Sequence, residues 1–399
     1  MAAADPVAAV DADRADDGRL AIDRKLIYID TLRGCAILMV IVVHHSQRFD
    51  DLPAILQVVT AYCQTGVQLF FVASAFTLCN SAALRRQEPS PLVSFFIRRY
   101  FRIAPLYYVG LVFYALMDSS LRYLGFIKGP TVFTSLNVIS NLFFVHGFVP
   151  GAFNSVVPGG WSIATEMTFY ALFPVLFAGL QRLHRRAGLG SICAVIAGVL
   201  AVDAAFQLAV IAHFGEGIAN NNIFYCSIIN QLPVFMIGMA GYLAIRHDRS
   251  FRPDPLRDAL GFAGFTLLAI WLMNAGPAIP MIFLPSVSAV AFLFLLNLAR
   301  RFVHQAGLIE KIGQVSFSMY IFHFVFAWWM TKFIVSKMGA IAPAMLLYVV
   351  TLTLTILFTY GAATITKLLI EDRFIDYGRR WIRRRDARHA KLSVADRPY

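Results

Sequence analysis

Residues 33–44 read RGCAILMVIVVH, an apolar run with an arginine near one end and a histidine near the other, and this stretch decides the fold. Eleven steps separate Arg33 from His44. At about 100° per residue they come to three turns plus roughly 20°, so a helix puts both polar side chains on one face, about 16 Å apart along its axis. His45 falls about 100° off that face. Two groups that are costly in hydrocarbon belong on an internal cavity rather than against lipid, so the chain is expected to be built around a hollow lined from this helix.

Composition agrees with a membrane setting. Of 399 residues, 58% are apolar and 15% charged, more apolar surface than a soluble core can hide. The net charge of +12 raises the question of nucleic acid, but the basic residues sit in short clusters between apolar runs, the pattern of membrane topology. No nucleic-acid partner is expected; the bilayer is. The five cysteines mostly lie inside apolar segments without C-x-x-C spacing, so they read as packing thiols and no metal site is expected.

Ten apolar runs recur at about 28–46, 55–81, 103–118, 161–181, 190–213, 223–245, 258–274, 279–299, 313–335 and 344–370, each close to a bilayer's thickness as a helix. The expected fold is therefore all-α and polytopic, about ten transmembrane helices around a central cavity. Every second loop is basic: Arg85, Arg86, Arg98, Arg99 and Arg102; Arg182, Arg185 and Arg186; Arg246, Arg249, Arg252 and Arg257; Arg300, Arg301 and Lys311. Those loops and both termini are assigned to the cytoplasm. Residues 1–25, with six aspartates against four basic residues, read as a disordered cytoplasmic tail, 26–372 as the transmembrane domain, and 373–399 as a basic cytoplasmic tail lying on the anionic inner surface. The short apolar segment 137–148 would break the charge alternation if it crossed, so it is placed outside as a re-entrant or interfacial helix.

This topology gives each unusual residue a depth. Arg33 lies near the cytoplasmic end of the first helix and His44 near its external end. Trp161 opens the fourth helix from outside, and Ser162, Glu166 and Tyr170 share one side of it by their four-residue spacing. His323 is mid-membrane in the ninth. Trp161, Ser162, Tyr170 and His323 are the candidates for lining the cavity. A histidine and a carboxylate at similar depth suit general-base chemistry, which pairs His44 with Glu166. Arginines at one-turn spacing on the inner side suit phosphate groups. Each has a plainer reading as well: Glu166 and His323 as interhelical hydrogen-bonding residues, Arg99 and Arg102 as topology signals, Trp161 as an interface anchor.

At this point the residues resemble the acyltransferase 3 family of integral membrane acyltransferases. The likeness rests on YIDTLRGCAILMVIVVHHS with its Arg, ten residues, His arrangement, then GVQLFFVASAFTL (66–78), SFFIRRYFRIAPLYY (94–108) with Arg99 and Arg102, WSIATEMTFYALFP (161–174), SFSMYIFHF (316–324) and LIEDRF (369–374), in the family's order. Two departures stand out: Ser74-Ala75 where the family usually has Ser-Gly, and Arg373 where it usually has Pro. The resemblance implies acyl transfer, most often of acetyl from acetyl-CoA or another acyl-CoA as donor substrate, to a hydroxyl of an extracytoplasmic saccharide or glycolipid in a bacterial inner membrane, with no bound cofactor. It implies His44 as general base or transient acyl carrier, Glu166 as its support, Arg33 on the thioester end, and Arg99 and Arg102 on the CoA phosphates. The residues alone also fit a secondary transporter or lipid-linked sugar flippase, although no internal repeat is evident.

Overall fold

The computed structural model describes residues 26–215, 223–247, 254–276 and 278–395. The tail expected over 1–25 lies outside them, as does the end of the basic tail beyond 395. All regular structure among the described residues is helical: α1 (Ile27–Ser46), α2 (Ala54–Tyr62) running through a 3-10 turn into α3 (Gly66–Leu84), α4 (Pro91–Tyr123), α5 (Ser135–Leu142), α6 (Gly160–Phe214), α7 (Ile228–His247), α8 (Pro255–Leu272), α9 (Ala278–Phe302), α10 (Leu308–Gln314), α11 (Ser316–Phe324), α12 (Thr331–Met338), α13 (Ala344–Thr366) and α14 (Asp372–Ala395).

Nine helical stretches among the described residues are long and apolar enough to cross a bilayer. One of them, α6, has 55 residues, which a straight helix would stretch to about 80 Å, far beyond a hydrocarbon layer of about 30 Å. It breaks at Gly188, where φ is 73° and ψ −173°, a left-handed backbone that glycine alone adopts without cost. Each limb is then long enough for one crossing. The ten apolar runs of the sequence thus correspond to ten helical limbs among the described residues, and the break falls just after Arg182, Arg185 and Arg186.

The α1 helix is the hub, packing against α3, α9, α10, α11 and α13. Its approach to α10 is set by two glycines: a Cβ on Gly34 would run into the carbonyl of Ile309, and one on Gly313 into the carbonyl of Asp30. That close crossing holds the Arg33 end of α1 in place.

Segment 137–148 does not span. It forms α5 and a short 3-10 turn at His146–Phe148. Asn141 Oδ1 accepts a hydrogen bond from the Tyr107 hydroxyl (2.6 Å), and His146 Nε2 lies 3.1 Å from that hydroxyl and 3.0 Å from the Gly160 carbonyl. Burial pushes the His146 imidazole below its ordinary range, which favours its neutral form as a structural donor. The segment is thereby bolted to α4 and to the start of α6.

Candidate active site

Two chambers lie along α1. The inner one holds about 70 Å³ and is walled by Arg33, Arg99, Arg102, Ser74, Ser162, Glu166, Tyr170 and Ser316 among others. The outer one holds about 860 Å³, and its wall includes His44, Gln47, Asp50, Gln57, Gln64, Trp161 and Tyr225. Val67 and Tyr320 line both chambers and so form the boundary between them. The single central hollow expected from the sequence is therefore divided. Arg33 and His44 both face inward from α1, as the helical period requires, but into different rooms.

The inner chamber's wall carries more positive than negative side chains. Three guanidinium groups and one carboxylate stand on its wall. Arg33 lies 3.5 Å from Asp30 one turn earlier. The Arg99 guanidinium sits over the rings of Phe95 (6.0 Å) and Tyr170 (5.8 Å), and its Nε is buried without a hydrogen-bond partner among the described residues. Aromatic faces of this kind hold a guanidinium in place without consuming its donors.

Glu166 is not beside His44. Its Oε1 accepts from Ser74 Oγ (2.6 Å) and from the Tyr170 hydroxyl (2.5 Å), and it lines the inner chamber. The expected His44–Glu166 pairing is corrected. The two are close in depth only on a linear reading; the four-residue face that carries Ser162, Glu166 and Tyr170 turns toward the arginines, and all three line that chamber.

The neighbour of His44 is His323, with ring centroids 5.4 Å apart. His323 is fully buried and lines neither of these chambers, contrary to its expected cavity-lining place. Its position on α11 puts it behind the chamber wall, while Tyr320, one turn earlier, takes the place on the wall itself. His44 also rests against Phe324, centroid to centroid 4.4 Å. His45 points elsewhere, to Thr351 Oγ1 at 2.8 Å.

Trp161 stands on the outer-chamber wall, edge-on to Phe71 at 6.3 Å. Ser162 Oγ donates to the Tyr320 hydroxyl (2.8 Å), which in turn donates to the Gly159 carbonyl (3.0 Å). The boundary tyrosine is thus fixed at its tip. Tyr320 and Ser74 both lie in the motif stretches of the sequence, but their roles depend on contacts between helices far apart in the chain. Ser74 and Glu166 are separated by 92 positions, a relation that no local period carries.

The two departures from the family pattern have structural answers. Ala75 lies on α3 where α7 crosses, and the crossing's glycine comes from α7: a Cβ on Gly238 would sit 2.8 Å from the Val72 carbonyl and 3.0 Å from Ala75 Cβ. At Arg373 the absence of proline lets the chain continue from α13 through a π turn (Lys367–Glu371) into α14. Phe101 on α4 packs against Tyr377 and Trp381 of that extension, at 5.4 and 5.6 Å.

Comparison with known proteins gives the family. The acyltransferase domain family matches residues 26–362. The acyltransferase MdmB of Streptomyces mycarofaciens is 24% identical over 286 residues, covering 67% of this chain and 69% of that protein. No solved structure matches. Family membership decides between the enzyme and the transporter that the residues alone left open: the chain belongs to the acyltransferase 3 family and is a multi-pass membrane acyltransferase.

Proposed function

We propose that this enzyme moves an acyl group, acetyl in the first instance, from cytoplasmic acyl-CoA to a hydroxyl of an extracytoplasmic glycan or glycolipid across the inner membrane of a bacterium. The observation that carries the reading is the meeting of two unlike chambers at Val67 and Tyr320, one rich in guanidinium and one holding His44. The basic loops support an inner chamber that opens toward the cytoplasm, where the donor is made. Arg99 and Arg102 on its wall are offered to the CoA phosphates, with the pantetheine arm carrying the thioester toward Val67 and Tyr320. Guanidinium makes forked contacts with phosphate oxygens and does so best when its geometry is preset.

The outer chamber has the lining of a sugar site: aromatic faces from Trp161, Tyr225 and Phe49, and side-chain amides from Gln47, Gln57 and Gln64. Here His44 removes the proton of the acceptor hydroxyl as its oxygen attacks the thioester carbonyl. The C–S bond breaks, the sulfur leaves as thiolate, and His44 returns the proton to it. Arg33 steadies negative charge on the donor side. Glu166, tied to Ser74 and Tyr170, sets the spacing of the arginines rather than serving the histidine.

The test uses the full-length protein in liposomes, with radiolabelled acetyl-CoA as donor and n-octyl β-glucoside, a sugar hydroxyl on an apolar tail, as acceptor probe. His44→Gln is expected to lower kcat by about 10²–10⁴-fold, the usual contribution of a general base, while the protein still inserts. Undiminished transfer by that variant removes His44 from the reaction.

A further inference from the structure

We propose that His323 is the positioning residue for His44: its neutral imidazole accepts the Nδ1–H of His44 and so fixes the tautomer in which His44 Nε2 presents its lone pair to the outer chamber. This deepens the reading of His44 as base and rests on it.

The inference starts from two buried nitrogens that lack partners. His323 Nδ1 lies 2.7 Å from the Tyr320 carbonyl. A carbonyl oxygen only accepts, so Nδ1 carries the hydrogen, and in a neutral imidazole Nε2 is then an acceptor. That Nε2 is buried with no hydrogen-bond partner among the described residues. His44 Nδ1 is in the same condition. The two rings stand 5.4 Å apart between centroids and are tilted by 34°. An acceptor on one ring and a candidate donor on the other, both stranded, are the complementary halves of one hydrogen bond. Such bonds are often long in the free enzyme and close when substrate binds.

The surroundings favour this pairing. Phe324 presents its ring to both histidines, at 4.4 Å from His44 and 4.1 Å from His323, and offers no polar atom. Glu166 is held by Ser74 and Tyr170. Trp328 Nε1 is the other buried donor nearby without a partner, but its ring stands edge-on to His44 at a centroid distance of 6.5 Å. The π turn over Val325–Met330, directly after His323-Phe324, widens the helix at this depth, a distortion that recurs at functional sites. The consequence is chemical. A base held as the Nδ1–H tautomer has its lone pair on the chamber side, where the Gln47 amide stands on the same wall and bonds to it, and on taking the acceptor's proton it leaves the buried nitrogen's bond unchanged.

Two measurements on the full-length protein in liposomes decide it. In the first, histidines are labelled with ¹⁵N and His44 is assigned by difference from His44→Gln. The wild type is expected to show His44 protonated on Nδ1, and His323→Phe to shift it toward the Nε2-protonated form. A wild-type His44 protonated on Nε2, or a spectrum unmoved by His323→Phe, overturns the proposal, and the wild-type spectrum alone decides should that variant fail to fold. In the second, acetyl transfer to n-octyl β-glucoside is followed. His323→Phe is expected to lower kcat by about 10–100-fold, the scale on which a supporting hydrogen-bond partner acts, with KM for acetyl-CoA unchanged. His323→Gln, whose amide oxygen can accept, is expected to recover most of the rate, and Trp328→Phe to leave it in place. Loss in Trp328→Phe together with no rescue by His323→Gln overturns the assignment. If His44→Gln itself transfers at full rate, the base reading fails; if His44→Gln is inactive while His323→Phe is normal in rate and tautomer, only the pairing fails.

Discussion

Arg99 and Arg102 show how a side chain's meaning depends on what it faces. In the sequence they double as signals for the cytoplasmic side; in the fold they stand with Arg33 on a wall that has Glu166 as its single carboxylate. Phosphate contacts by charged donors contribute about 1.5–3 kcal/mol each. Arg99→Ala and Arg102→Ala are therefore expected to raise KM for acetyl-CoA by about 10–100-fold, with a smaller change in kcat, in initial-rate measurements at varied donor concentration. A KM unchanged in both variants would count against phosphate binding there. At this scale the sequence was readable where cost in lipid and helical period coincide, which is why Arg33 and His44 stand out. It was unreadable where a role depends on a contact across helices. Counting along the helices puts Glu166 level with His44, yet Ser74 and Tyr170 hold it in the other chamber. His323 looked like a wall residue and lies behind the wall.

Among the elements, the α1–α10 crossing is the most demanding. Carbonyls of Asp30 and Ile309 occupy the space a side chain would need at Gly313 and Gly34. Gly313→Val forces backbone apart, and overpacking of a filled interface costs about 1–3 kcal/mol or more. A clear fall in the thermal midpoint of the purified protein is expected, along with loss of transfer, since Arg33 rides on the same turn. Gly264→Ala is the control: nothing lies within 4 Å of a Cβ there, so the midpoint should hold or rise slightly. The elements themselves were legible, because apolar length and basic punctuation mark each crossing. The sequence also separated the two crossings within α6, whose break at Gly188 follows the arginine cluster. Less legible was the exchange of small residues between helices. Ala75 stands where the family usually has glycine, and the room at that crossing comes instead from Gly238 on α7.

At the scale of the whole molecule, alternating loop charge predicts the orientation. Arg86→Cys and Arg185→Cys, in a background without the native cysteines, are expected to react with a membrane-impermeant maleimide only after the inner face is opened, whereas Lys128→Cys reacts in intact cells. The reverse pattern would invert the proposed direction of transfer. The central hollow was anticipated from one helix, but its division was not. The dividing side chains come from α3 and α11, at Val67 and Tyr320, and no pattern within α1 reports on them.

That dividing wall has a bearing on the cell's energy supply. Transfer from one side of a membrane to the other, as proposed above, would through an open shaft short-circuit the proton-motive force. The valine and the tyrosine, the latter pinned at its hydroxyl by Ser162 and Gly159, stand where the two chambers meet, so the seal between them is expected to rest on these two side chains. Liposomes carrying the native enzyme should therefore hold a pH gradient as well as empty ones, and Val67→Gly should let it decay measurably faster.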